Sequence, residues 1–234
     1  MSLLGSAPVD MSTDLAGASF PSPVFTASGC AAAGRELDQY FDITDIGAVI
    51  TKSIALEPQA GRPTPRVAET PSGMLNAIGL QGPGVEAFAA AELDWLRRRK
   101  ARAVVSIAGA SVDEFAQVAA RLRHEEGISA LEVNISCPNV ADAGRVFASD
   151  ARAAGSVVHA VRRNSPASRP VIAKLSPDVA DIVAIAKACL DSGADGVSLI
   201  NTTRGMVINT DTMRPMLGGV TGGLSGPAIR PLAV

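Results

Sequence analysis

The sequence predicts an α/β fold in which parallel strands alternate with helices. Three observations carry this. Short apolar runs recur along the 234 residues, each followed by a turn and then by a segment of helical period. Most of these runs begin with continuous apolar residues and finish with small or polar ones, as expected of strands buried on both faces whose C-terminal ends open onto a site. The composition, 47% hydrophobic but only 3% aromatic, builds the core from Ala, Val, Ile and Leu and argues against all-β sandwiches.

The strand candidates are residues 23–29 (PVFTASG), 48–54 (AVITKSI), 103–109 (AVVSIAG), 130–137 (ALEVNISC), 170–176 (PVIAKLS) and 196–202 (GVSLINT). Helical spacing predicts helices over 85–100, 112–126, 151–164 and 179–192. From the third strand onward, strand and helix alternate without interruption, which selects right-handed parallel crossovers. Residues 57–84 break the rhythm. They hold Pro58, Pro63, Pro65, Pro71 and Pro83, show no helical period, and are expected to form a functional excursion over a site. Six strands are fewer than the eight of a closed parallel barrel, and a new helix is expected to begin at Pro227. Two architectures remain open: an open sheet with an unusual edge, or a barrel lacking its last two strands in this chain. A bare apolar edge is an aggregation liability, which points to the second and to a C-terminally incomplete chain. One domain is expected over 11–234. Residues 1–10, ahead of the second methionine Met11, read as an N-terminal extension or a cloning remnant.

Composition also excludes function classes. The net charge is −2 and mean hydropathy is +0.24, so neither disorder nor an electrostatic footprint for nucleic acid or an anionic membrane is present. The basic run Arg97, Arg98, Arg99, Lys100 falls at the end of a predicted helix, where positive charge complements the helix dipole. Cys30, Cys137 and Cys189 are odd in number and lack CxxC spacing, so no disulfide framework or metal site is expected and a reducing, cytoplasmic setting is the default. No apolar run approaches a membrane span, and the first ten residues lack the pattern of a signal peptide.

The chemistry concentrates at the strand ends. The fourth strand finishes Asn134-Ile135-Ser136-Cys137-Pro138-Asn139, with Asn134 and Ser136 on one face by period-two alternation. Cys137 reads equally as a general base or as a small buried side chain, whereas Cys30 and Cys189 are expected to be structural. Lys52 and Lys174 sit near the ends of two apolar strands, a costly location without an anionic or polar partner, which suggests a bound anion or an electron-rich ring. Asn201, Thr202 and Thr203 repeat the pairing of amide and hydroxyl. In the excursion, Asn76-Ala77-Ile78-Gly79-Leu80 joins a side-chain amide to a glycine. Residues 221–226 (TGGLSG) are expected to open the last helix and present N–H groups to an anion. His124 and His159 fall in helix candidates and are poor bases. GxSxG, HExxH, Walker and GxGxxG motifs are missing from the sequence, so hydrolase and nucleoside-triphosphate readings lose support.

From about Leu15 onward the chain resembles the class 1 dihydroorotate dehydrogenases, in particular the NAD-linked 1B type. The carriers are Ala27-Ser28-Gly29, Thr51-Lys52-Ser53, Thr64-Pro65-Arg66-Val67, Gly73-Met74-Leu75-Asn76-Ala77-Ile78-Gly79-Leu80-Gln81, the Asn134 to Asn139 motif, Lys174-Leu175-Ser176-Pro177, Ile200-Asn201-Thr202 and Gly222-Gly223-Leu224-Ser225-Gly226-Pro227. Class 2 members carry Ser where this chain has Cys137. The resemblance implies a TIM barrel with FMN across its C-terminal mouth, and oxidation of dihydroorotate to orotate in pyrimidine synthesis. It implies that Cys137 removes the C5 proton while hydride passes from C6 to FMN N5. It places Ser28, Lys52, Ser53, Ser106, Asn134, Lys174, Ile200 and Gly226 against FMN. Substrate contacts implied are Lys52, Asn76, Ala77, Ile78, Gly79, Leu80, Asn134, Asn139, Asn201 and Thr202.

Ser106 departs from the family, which usually has Asn there, and the phosphate-binding strands that follow in the family are not in this sequence. The 1B type also implies a homodimeric core and electron transfer to a partner subunit carrying FAD and an iron–sulfur cluster. Three cysteines cannot supply a four-thiolate cluster site here. Alternative readings are a related flavin barrel acting on dihydropyrimidines and a non-catalytic, barrel-derived binding subunit.

Overall fold

The computed structural model describes residues 9–136, 138–139 and 145–234. In chain order, a hairpin of β1 (Thr13–Leu15) and β2 (Ala18–Phe20) precedes β3 (Val49–Ile50) and a second hairpin, β4 (Val67–Thr70) and β5 (Gly73–Asn76). Next come α1 (Val85–Phe88), a π turn (Ala89–Leu93) and α2 (Asp94–Arg99), then β6 (Ala103–Ile107), α3 (Val112–Arg121) and β7 (Ile128–Asn134). The short pair β8 (Pro138–Asn139) and β9 (Arg145–Val146) leads to α4 (Ala151–Asn164), β10 (Val171–Lys174), α5 (Ile182–Asp191) and β11 (Gly196–Ser198). The remainder holds β12 (Thr203–Gly205), β13 (Ile208–Asn209), β14 (Arg214–Pro215), β15 (Gly222–Ser225) and α6 (Arg230–Ala233).

Five strands form one parallel sheet in the order β11-β10-β7-β6-β3, and a parallel bridge from Phe25 to Ala48 lays the 23–29 run beside β3. The six candidate runs therefore lie side by side in chain order, although the first contributes only that bridge. Alternation along each strand separates two faces. Val105, Ile107, Leu131, Val133, Val171 and Ala173 point to the helices and join Phe115, Val118, Val157, Val158 and Ile185 in the large core. Ala48, Val104, Ala130 and Ile172 point the other way and are covered by Phe20 of the first hairpin. This second face is apolar at the N-terminal ends of the strands. Its C-terminal ends carry Ser106, Glu132, Asn134 and Lys174, so it changes character along the strand.

Local chemistry explains most helix limits. Ser111 caps α3 by accepting from the Glu114 N–H at 3.1 Å, Asp150 caps α4 from Ala153 at 2.8 Å and Asp181 caps α5 from Ala184 at 2.9 Å. The α5 cap places the start of that helix at Ile182, later than the periodicity predicts. At the other end of α3, Leu122 is the last residue to be buried. Residues 123–126 are exposed, and Gly127, at φ +84°, turns the chain into β7, so the helix stops at Arg121 rather than at 126. The predicted 85–100 helix is interrupted by its π turn. Its buried side chains Val85, Phe88, Leu93 and Leu96 are spaced by three, five and three residues, and the wider turn absorbs the five-residue step that a 3.6 period does not fit. The basic run closes α2 as expected: Arg97 and Arg98 pair with Asp94, Arg99 pairs with Asp38, and Lys100 takes the left-handed C-cap.

The structure adds strands to the excursion and corrects two other expectations. The 57–84 excursion contains β4 and β5, joined by the two-residue turn Pro71-Ser72, and they belong to a four-stranded antiparallel sheet ordered β12-β15-β5-β4. Residues 222–225 are the strand β15 of that sheet, not the opening of a helix, because their backbone groups pair with β12 and β5. Likewise the sixth parallel strand ends at Ser198. Thr203 instead begins β12.

Phe115 is fully buried and meets Phe147 edge-to-face at 5.8 Å between ring centroids. Phe115→Ala is expected to lower unfolding free energy by about 3–5 kcal/mol, read as a reduced urea midpoint with an unchanged slope.

Candidate active site

The C-terminal ends of the parallel strands are tied together by side chains. Ser53 is the hub. Its hydroxyl lies 2.9 Å from that of buried Ser106 and 3.3 Å from that of Ser28, and accepts from Asn134 Nδ2 at 3.0 Å. Asn201 Nδ2 then donates to Asn134 Oδ1 at 3.1 Å, which also accepts from the Ser136 N–H at 3.3 Å. Thr51 Oγ1 accepts from the Ser106 N–H at 3.2 Å. Residues far apart in sequence are thereby fixed at one level of the sheet, each polar group repaying with a partner the cost of leaving water.

Beside this network opens a cavity of about 850 Å³ between the strand ends and the antiparallel sheet. Its lining includes Asn76, Ala77, Gly79, Leu80, Asn134, Ser136, Asn201 and Thr202, so most predicted substrate residues are gathered. Asn76 enters from β5, its Nδ2 donating to the Gly223 carbonyl at 3.2 Å. The glycines of β15 are required by this approach: a Cβ on Gly223 would lie 2.0 Å from Thr202 Oγ1, and one on Gly222 would lie 2.5 Å from the Asn76 carbonyl oxygen. Asn76, Asn134 and Asn201 each use one amide N–H within the protein, and the second makes no hydrogen bond among the described residues. The Ser136 hydroxyl is buried without a hydrogen-bond partner among the described residues. Arg62 and Arg204, both exposed, add positive charge to the rim. Asp178 anchors this side, accepting from Thr203 Oγ1 and from the Arg204 N–H at 2.9 Å.

The two lysines occupy different places. Lys52, just beyond β3, donates from Nζ to the Gly79 carbonyl at 3.0 Å and so joins the strand ends to the excursion. Lys174, at the end of β10, donates to Ser198 Oγ at 3.3 Å and lies 3.9 Å from Glu132 Oε2. Glu132 itself is 1% exposed, and neither carboxylate oxygen has a hydrogen bond among the described residues.

The remaining predicted residues are less closely joined. Ile78 is half-buried between Ala77 and Gly79 of the lining, its carbonyl accepting from the Arg62 N–H at 3.0 Å. Ile200 is half-buried just past β11, following a cis peptide from Leu199. Gly226 is exposed at the end of β15, where its Cα faces Gly73, and it does not line the cavity. Asn139 contributes its backbone to β8, and Cys137 lies outside the described residues. Cys189 is buried in α5 as expected. Cys30, expected to be structural, is exposed, in a turn where its N–H bonds the Ala27 carbonyl. His124, in the turn after α3, and His159, on α4, are exposed and outside the cavity.

Glu132, Arg62, Arg204 and Asp178 were not picked out by sequence reasoning. Only Glu132 carried a clear signal, an acidic residue between Leu131 and Val133 in an apolar strand. Arg204 lies in β12 and the other two in loops, and their placement depends on the antiparallel sheet.

A family model described as dihydroorotate dehydrogenase matches residues 10–234. Among relatives named "Dihydroorotate dehydrogenase B (NAD(+)), catalytic subunit", that of Geobacter sp. (strain M21) is 51% identical over 225 residues, 96% of this chain and 73% of its own. That of Citrifermentans bemidjiense is 50% identical over the same shares, and that of Desulforudis audaxviator is 51% identical over 220 residues, 94% and 71% of the two chains.

The thiols provide a direct check on this geometry. Burial pushes the Cys189 thiol up to about 11, and the thiolate is the reactive form. Alkylation of the native protein at pH 8, mapped by peptide mass spectrometry, is expected to modify Cys30 and to leave Cys189 untouched until denaturant is added. Equal rates at the two would contradict the placement.

Proposed function

The chain belongs to the dihydroorotate dehydrogenase family, and from that premise we propose that it oxidises dihydroorotate to orotate, a step of pyrimidine synthesis, with FMN as its flavin. The observation that carries this reading is the convergence of Asn76, Asn134 and Asn201 on one cavity beside the Ser28–Ser53–Ser106 network. Three amides with N–H groups to spare match the alternating donors and acceptors of a pyrimidine ring. The Ser136 hydroxyl, buried without a partner among the described residues, supports a polar ligand at this place, and the volume lies within the few hundred to about 1,000 Å³ typical of small-molecule sites.

FMN, when bound, supplies the acceptor for the hydride that leaves C6 of the substrate. Ser28, Ser53, Ser106, Asn134, Lys174, Ile200 and Gly226 are the residues proposed to hold it, with Lys52 between flavin and substrate. Lys52 and the backbone of residues 77–80 receive the substrate carboxylate, while the asparagines, Asn139 included, and Thr202 orient its ring. Cys137 takes the proton from C5. It directly follows Ser136, which lines the cavity, and a thiol is among the side chains that serve as general bases. Arg62 and Arg204 raise the local concentration of an anionic substrate at the rim.

The electrons then pass to a separate subunit. This reading is supported by the words "catalytic subunit" and "NAD(+)" in the relatives' names and by the 1B pattern of motifs, which implies FAD and an iron–sulfur cluster on that partner with NAD as final acceptor. No helix among the described residues is long and apolar enough to cross a membrane.

Anaerobic mixing of the flavin-loaded protein with dihydroorotate is expected to bleach the flavin absorbance, while dihydrouracil leaves it unchanged. Cys137→Ala is expected to keep the flavin and to slow bleaching by at least 100-fold, the lower end of what general-base catalysis contributes. Bleaching at the wild-type rate in that variant removes Cys137 from the mechanism.

A further inference from the structure

The alternation of β7 places Ala130, Glu132 and Asn134 on the face opposite the helices. Asn134 ends in the active-site network and Ala130 in the apolar cluster under Phe20. Glu132 lies between them, a carboxylate 1% exposed with no hydrogen bond to either oxygen among the described residues. Such a group is strongly disfavoured unless a cation compensates it. The cation is Lys174, its Nζ 3.9 Å from Oε2, on a side chain only 12% exposed. That separation is an ion pair without a hydrogen bond. The lysine directs its hydrogen bond the other way, to Ser198 on β11. It is thus held between two neighbouring strands, next to its register partner Asn134.

A buried pair with this geometry is a poor source of stability, since the attraction at 3.9 Å is set against the desolvation of both charges. It has a clear electrostatic effect, however. In a water-poor interior the field of a lysine reaches a neighbouring ring with little screening, and a carboxylate fixed behind it cancels part of that field. We propose that Glu132 is a positioning residue for Lys174 and its fixed counter-charge, and that the pair sets the electron affinity of the flavin. The inference rests on the reading that FMN lies against Lys174. Under it, Lys174 stabilises the negative charge of the reduced flavin, and Glu132 moderates that stabilisation so that the flavin can pass its electrons on.

The charge of the pair makes the prediction specific. The wild-type pair sums to zero, Glu132→Gln leaves one positive charge, Lys174→Met leaves one negative charge, and the double variant is again neutral. Midpoint potentials of the flavin-loaded proteins, measured by reductive titration against reference dyes, are expected to fall in the order of those charges. Glu132→Gln is expected to favour the reduced flavin at least tenfold over wild type, about 30 mV for a two-electron couple. Lys174→Met is expected to shift it by a similar factor in the opposite direction, with the double variant close to wild type. An unchanged or lowered potential in Glu132→Gln overturns the proposal, even if the melting temperature falls, because a purely structural carboxylate affects stability alone. Should Glu132→Gln fail to fold, Lys174→Met and the double variant still decide the matter: adding Glu132→Gln to Lys174→Met must raise the potential. A wild-type protein that binds no flavin overturns the functional reading itself, whereas a flavin bleached by dihydroorotate with an unmoved Glu132→Gln potential overturns this inference only.

Discussion

Parallel register is the constraint on which the other features depend. Each strand of the main sheet runs in the same direction, so its polar end arrives at the same edge as those of its neighbours, and Ser106, Glu132, Asn134, Lys174 and Ser198 come together without being near one another in sequence. Period-two alternation then divides the labour. One set of side chains builds the helix-covered core, while the opposite set passes from the apolar layer of Ala48, Val104, Ala130 and Ile172 to the polar layer above it. A one-residue slip in any strand would exchange the two sets and put an active-site amide into the core. The large apolar core is therefore what fixes the geometry of the polar edge.

That edge is a place where uncompensated polar groups would be costly, and the protein satisfies nearly all of them internally. Ser53 serves three neighbours, and Asn134 is held at both ends of its amide. Side chains so constrained cannot turn away, and the remaining N–H groups are aimed in advance. The exceptions are informative for the same reason. Ser136 and Glu132 stay without hydrogen bonds among the described residues, one in the cavity wall and one beneath the lysine, where a ligand and a counter-charge have the most effect.

The antiparallel sheet supplies the opposite wall. Its four strands come from two distant segments, β4 and β5 from the proline-rich excursion and β12 and β15 from the C-terminal part. The glycines of β15 let backbone approach Thr202 and Asn76 more closely than any side chain would permit. Lys52, bonded to the Gly79 carbonyl, links this wall to the parallel strands. The family match covers both walls, since it runs over residues 10–234.

Much of this was legible in the sequence, because parallel strands and their covering helices are written in local patterns. Period and apolar runs located the five strands of the parallel sheet, the segment bridged to its edge and the four helical segments. Motifs from Ser28 to Thr202 located the polar edge, and the family resemblance gave these residues their expected roles. Three things were not legible there. The π turn depends on where the core requires Leu93, the pairing of residues 73–76 with 222–225 joins strands about 150 positions apart, and the exposure of Cys30 depends on the path of a turn. The pairing of Glu132 with Lys174 belongs to the same class, although each residue was conspicuous in its own strand. Local sequence determines which face of a strand is polar. Which polar groups meet is decided by register between strands, an interaction between distant segments that only the folded chain brings into contact.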